Sequence, residues 1–194
     1  MYRAITWRAV HAQLDWSNEE ALVRLANETE LELREAPAGV QVVVDGRDVT
    51  SEIRGPEITQ QVYHVADSAR ARRRLIELQR QFAVRGPVVT EGRDQGTDVF
   101  PDAPVKVYLD ASAEERARRR LLDYPSAGKS ATYEAVLASV IERDTQDRQR
   151  AVGALRRAPD AIYVDTTSLT IDQVVETLAR ECEHRLGLTR RPAS

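Results

Sequence analysis

Two stretches of this chain carry residue types capable of chemistry, at spacings that make the chemistry specific. The first is ERDTQDRQR, residues 142–150, with Arg143, Asp147 and Arg150 at i, i+4 and i+7. On a helix that spacing puts all three on one face. Two guanidinium groups flanking a carboxylate suit a phosphorylated sugar, with cations for the phosphate and an acceptor for hydroxyls. A solvated, ion-paired helix face has the same pattern. The second stretch is EGRDQGTDVF, residues 91–100. Gly92 and Gly96 allow a close backbone approach to a ligand, Arg93 can fork onto a phosphate, and Asp94 can accept from an amino or hydroxyl group. Read alone, a surface turn accounts for it as well.

Other candidates carry less. PSAGKSAT, 125–132, copies the end of the phosphate-binding pattern G-x-x-x-x-G-K-[ST], but the first glycine of that pattern falls on Asp123 and a charged helical stretch precedes it instead of a strand. A loop between two helices is the better reading. His11, His64 and His184 have no metal-ligand spacing, so no metal site is assigned.

The elements that must position these residues follow from periodicity and caps. Helices are predicted over 2–15, from Ser17 to about Asn27 with Ser17 and Glu20 as a capping box, over 57–66 and 68–84, over 113–123 opened by Ser112 and Glu115, over 132–150, and after Thr170 and Gln173 up to Gly187. Short strands are predicted at 30–35, 40–45 and 48–50, with Asp45-Gly46 as the hairpin turn. Apolar strands are predicted at 87–91, 105–109 and 161–165. Strands alternating with helices indicate an α/β fold with a mainly parallel sheet. Ligands in such folds bind beyond the carboxyl ends of the strands, which directs attention to 91–98.

Composition sets the outer bounds. The chain has 194 residues, 42% hydrophobic and 30% charged, with a net charge of -3, and its lysines are Lys106 and Lys129. That balance argues against a general nucleic-acid binder. Cys182 stands alone, which fits a reducing compartment, and no run of about 18 apolar residues suggests a membrane span. A cytoplasmic location is the expectation.

Five stretches then stand in one order: MYRA (1–4), DGRDVTSEIR (45–54), RARRRLIELQRQF (70–82), EGRDQGTDVFPDAPVKVYLDASAEERARRR (91–120) and IERDTQDRQRAV (141–152). Together they resemble the bacterial cytidylate kinases, the (d)CMP kinase family of P-loop nucleoside monophosphate kinases. Glu91 stands where the family pattern has an aspartate. The resemblance implies a three-layer α/β fold with a small antiparallel CMP-binding insert. It implies one core domain over 1–188, an insert at about 28–85, a lid at about 118–132 carrying Arg119 and Arg120, and a frayed tail at 189–194.

By the same resemblance Tyr2, Arg3 and Arg93 match residues that hold the CMP phosphate. Arg72 and Asp94 match residues that read the base or fix the nucleotide. Arg143, Asp147 and Arg150 match the helix that contacts the ribose and the transferring phosphates. Tyr63 stands where the family often has a small hydroxyl residue near the sugar, so the choice between CMP and dCMP stays open. The implied reaction moves the ATP γ-phosphoryl group to CMP or dCMP, with Mg²⁺ carried by the nucleotide, in a monomer. The family's first strand and ATP-binding P-loop have no counterpart in these 194 residues. The chain alone is therefore expected to phosphorylate CMP weakly. The alternative is a non-catalytic nucleotide-binding or interaction module.

Overall fold

Apolar residues at helical spacing bury one face of the first helix, α1 (Tyr2–His11), through Ala4, Ile5, Trp7 and Ala9. The computed structural model describes residues 1–37, 39–123 and 131–188. Their contacts group into two units, Met1–Val89 with Ala151–Gly153, and Thr90–Arg150 with the residues from Ala154 onward. The PSAGKSAT loop through residue 130, positions 124–130 of the expected lid and the tail 189–194 lie outside the described residues.

In the first unit α1 ends earlier than its periodicity suggests. Gln13 adopts a left-handed φ of 50°, and the Leu14 amide turns back to the Ala9 carbonyl at 2.9 Å. This is a helix-stopping hydrogen-bond pattern. The next helix, α2 (Glu19–Glu28), is capped by Asn18, whose Oδ1 accepts from the Ala21 amide at 3.0 Å. The expected Ser17 cap is thereby corrected. Asp15 captures Ser17 first, accepting from both its amide and its Oγ. Where two capping residue types are adjacent, the competing local acceptor decides.

An antiparallel hairpin follows, β1 (Leu31–Ala36), β2 (Gly39–Val44) and β3 (Arg47–Asp48). Leu31 pairs with Val44, and Val44 pairs with Arg47 across the Asp45-Gly46 turn. Asp45 and Gly46 both take positive φ, 48° and 79°, as a two-residue hairpin of this hand requires. Arg8 clamps the turn: its Nε donates to Asp45 at 2.5 Å and its Nη1 to the Leu25 carbonyl. The strand expected at 48–50 stops at Asp48. There Asp48 accepts from the Thr50 amide and hydroxyl and from Gln41. These hydrogen bonds, led by that of Thr50, lower the Asp48 carboxyl to about 2. A depressed folded-state value stabilises above the unfolded value and is lost as pH falls through the folded one. Ordering of the hairpin should thus persist below pH 4 and weaken toward pH 2. Far-UV circular dichroism of wild type against Asp48→Asn reads this as a difference in their acid transitions.

Two helices complete this unit, α3 (Pro56–Asp67), opened by proline in its first turn, and α4 (Ala69–Ala83), capped by Ser68. They enclose a core of Ile5, Val44, Val49, Val65 and Leu75. Leu75 is fully buried. Leu75→Ala is expected to cost about 2–5 kcal/mol of unfolding free energy, and the volume-conserving Leu75→Met under about 1.5 kcal/mol, both read by urea denaturation.

The strand expected at 87–91 is not formed. Val88 and Val89 are exposed, and no strand among the described residues hydrogen-bonds to them. An apolar run becomes a strand only where a neighbour supplies the ladder.

The second unit opens with a wide helical turn, Gln95–Val99. Strands β4 (Val107–Asp110) and β5 (Ile162–Asp165) pair in parallel, Val107 with Ile162 through Asp110 with Asp165. Between them lie α5 (Ala113–Asp123) and α6 (Tyr133–Gln149). Ser112 Oγ accepts from the Glu115 amide at the start of α5. The last helix, α7 (Ile171–Leu186), has both arms of the Thr170–Gln173 capping box and ends at left-handed Gly187. The protein is therefore mixed α/β, with one antiparallel and one parallel sheet among the described residues.

Candidate active site

The chemistry of the second unit converges on Asp147. It lies in the last turns of α6, and its side chain is only 7% exposed. The Arg93 Nε donates to its Oδ2 at 2.7 Å. Arg143 Nε stands 3.9 Å from the same oxygen and Arg150 Nη1 stands 3.6 Å from Oδ1. The Asp147 carbonyl accepts from the Leu155 amide at 2.7 Å, so the chain beyond the helix turns back onto it. Of the three residues expected on one helical face, Arg150 lies just past the last helical residue, Gln149, yet its guanidinium still reaches the carboxylate. Arg93 arrives from the other expected stretch, 54 residues earlier. The two candidate stretches meet at one carboxylate.

Three guanidinium groups around one carboxylate leave an excess of positive charge. Partial burial lowers Arg143 from its ordinary value; the charge of Arg93 acts the same way, as do Arg120 and Arg150, with Asp147 opposing. A cation cluster under mutual repulsion is stabilised by a multiply charged anion. The donor set thus fits phosphate groups. Among the described residues no group of three or more His, Cys, Asp or Glu is arranged to hold a metal ion.

Asp94, next to Arg93, is buried. Its carbonyl accepts from the Asp98 amide at 2.9 Å and the Val99 amide at 3.2 Å, so the 95–99 turn hangs from it. Lys106, which sequence reasoning did not single out, braces this turn. Its Nζ bonds the Pro101 carbonyl and pairs with Asp160 at 2.7 Å. Arg119 and Arg120, expected in the lid, lie in α5. Arg119 donates to the Thr166 hydroxyl and carbonyl and to Glu115. Arg116 and Asp144, also not anticipated, form a two-pronged ion pair between α5 and α6. No local spacing signals that pair, because its members are 28 residues apart.

The first unit holds the remaining candidates. Arg3 Nη1 donates to the Ile53 carbonyl at 3.0 Å and to Thr59 Oγ1 at 2.8 Å, which ties α1 to the turn before α3. The buried Arg72 lies over the Tyr2 ring, 5.5 Å from its centroid. A side chain added at Gly153 would meet the Arg72 guanidinium at 2.0 Å, so that glycine makes room for it. Tyr63 is exposed on α3 and its ring contacts His64 at 4.0 Å, while His64 stacks on Trp16 at 4.6 Å.

A carboxylate-centred arginine cluster in an α/β protein suits phosphate groups. Comparison with known proteins makes the class specific. The family model described as cytidylate kinase matches residues 1–184. A cytidylate kinase of Enterobacter sp. (strain 638) is 42% identical over 188 residues, covering 97% of this chain and 83% of that protein. Cytidylate kinases of Shigella boydii serotype 4 (strain Sb227) and Escherichia coli (strain K12 / DH10B) are each 41% identical over the same shares. The chain belongs to the cytidylate kinase family.

Proposed function

We propose that this protein transfers the terminal phosphoryl group of ATP to CMP or dCMP, giving CDP or dCDP and ADP. The observation that carries the reading is the triad of Arg93, Arg143 and Arg150 about Asp147, in a chain matched to cytidylate kinases over residues 1–184. An oxygen of the CMP phosphate attacks the γ-phosphorus, and the bond from that phosphorus to the β–γ bridging oxygen breaks. The protein's task in such a transfer is positioning and charge neutralisation. Arg93, Arg143 and Arg150 neutralise the phosphate oxygens. Asp147 orients the three guanidinium groups and holds them together against their mutual repulsion. Mg²⁺ enters with ATP and supplies further charge neutralisation when bound.

Tyr2, Arg3, Arg72, Asp94 and Tyr63 are proposed to bind the nucleoside monophosphate. The tie from Arg3 to Ile53 and Thr59, and the seat of Arg72 against Tyr2 and Gly153, are the held geometries that support this. Arg119 and Arg120 are proposed at the stem of a lid. We place the protein in the cytoplasm as a monomer, in keeping with its lone cysteine. Among the described residues no helix is long and apolar enough to cross a membrane.

Two measurements on the 194-residue chain test the reading. Calorimetric titration with CMP, dCMP, UMP and AMP reads binding, and a coupled assay reads CDP formation from CMP and ATP. Selective cytidylate binding with weak CDP formation by these 194 residues is the expected result for the kinase reading. Selective binding with no CDP at all favours the non-catalytic module, and an absence of cytidylate selectivity overturns both.

A further inference from the structure

We propose that Arg116 and Asp144 form a positioning pair that sets the rotation of the arginine-bearing half of α6, and so the geometry of Arg93, Arg143 and Arg150 about Asp147. The effect on turnover rests on the kinase reading above, whereas the effect on geometry does not.

The apolar contact between α5 and α6 ends partway along α6. Ala117 packs with Val136 and Val140, flanked by Ala113, Leu121, Tyr133 and Leu137. No apolar residue of α6 beyond Val140 is buried; Ile141 is exposed, and the remainder, ERDTQDRQ, is polar. The half of the helix that bears Arg143 and Asp147 thus has no apolar hold and depends on polar links. Arg116 supplies the most constrained of these. Its Nη1 donates to Asp144 Oδ1 at 2.6 Å and its Nη2 to Oδ2 at 2.5 Å, while Nε donates to the Ala111 carbonyl at 3.0 Å. A planar fork bonded to both carboxylate oxygens fixes orientation as well as distance. The third bond anchors the same plane to the chain just past β4, so the sheet end dictates where Asp144 sits. Asp144 precedes Asp147 by less than one helical turn and is adjacent to Arg143. Any rotation of α6 that broke the fork would move Asp147 away from Arg93. The Arg116 hydrogen bond also lowers the Asp144 carboxyl from its ordinary value, with Arg148 and Arg93 adding to the effect, so the pair remains charged wherever the protein is folded near neutrality.

The test uses the full chain with Asp144→Asn, which keeps the shape and removes the charge, and Arg116→Lys, which keeps the charge and removes the fork. Residue-resolved amide exchange is expected to accelerate about tenfold at 143–149 in Asp144→Asn and to stay unchanged at 133–140, as for a local opening. The Arg93 Nε–H resonance, protected in wild type by its bond to Asp147, should broaden or vanish. Asp144→Glu restores the carboxylate and should recover part of the protection. Where turnover is measured, kcat falls while KM for CMP holds. Unchanged exchange and an unchanged Arg93 signal in both variants overturn the proposal, as does acceleration spread evenly over α5 and α6. Should Asp144→Asn not fold, Arg116→Lys decides by the same readouts. Amide exchange decides the pair whether or not the 194-residue chain turns over CMP.

Discussion

Replacing Arg150 by alanine is expected to lower CDP formation by about 10²- to 10³-fold while the unfolding midpoint holds within a degree or two, the range seen when one preset donor to a developing anion is removed. Arg150 sits just beyond the end of α6, with its side chain a quarter exposed. What disappears is one of the three cations proposed to face the phosphates. The effect should be on kcat more than on KM for CMP, because charge accumulates during transfer rather than on binding. Arg150→Lys should recover only part of the rate, since a point charge replaces a planar fork. The comparison belongs in any form of the protein that turns over CMP measurably. An unchanged rate would return the 143–150 stripe to the status of a solvated helix face.

Asp147→Ala is expected to be worse, because it damages both the fold and the reaction. Removing one partner from a buried pair costs several kcal/mol when the other charge is left dry. Here the arginines are partly exposed, Arg93 by 43% and Arg143 by 59% of their side chains, so water screens them and about 1–3 kcal/mol is the reasonable loss. The rate should fall about 10²-fold as the guanidinium groups move apart, on the scale of a misplacement of about one ångström. Added salt separates the two effects: it screens arginine repulsion and should restore part of the stability without restoring the rate. Urea denaturation at low and high ionic strength, run beside initial rates, gives both.

How much of this was legible beforehand depends on how local each signal was. The Asp45-Gly46 turn, the Thr170–Gln173 capping box, the Gly187 stop and the bounds of α5 were readable because each is decided within about four residues. Asn18 displaced Ser17 for a local reason too, but one that turned on which acceptor Ser17 met first. Residues 87–91 could not be judged this way. Their apolar content describes what a strand needs and not whether a partner is there to supply it. The site divides along the same line. The spacing of Arg143, Asp147 and Arg150 was visible, but only folding brings Arg93 to that carboxylate. The pairing of Arg116 with Asp144 and the brace from Lys106 to Asp160 leave no trace in any window of sequence.

The close approach of Gly96 and Lys106 couples the side chains that the two positions can hold together. A Cβ at position 96 would lie 3.1 Å from the Lys106 Cδ and 3.3 Å from its Cγ, mid-stem atoms of a side chain whose far end is held by Asp160 and the Pro101 carbonyl. The stem therefore has little room to swing aside. In a library randomised at both positions and selected for folding, alanine or serine at 96 should survive mainly beside a shorter residue at 106, and lysine at 106 mainly beside glycine. The two positions would then drift together, as one inherited unit, although nine residues of chain lie between them.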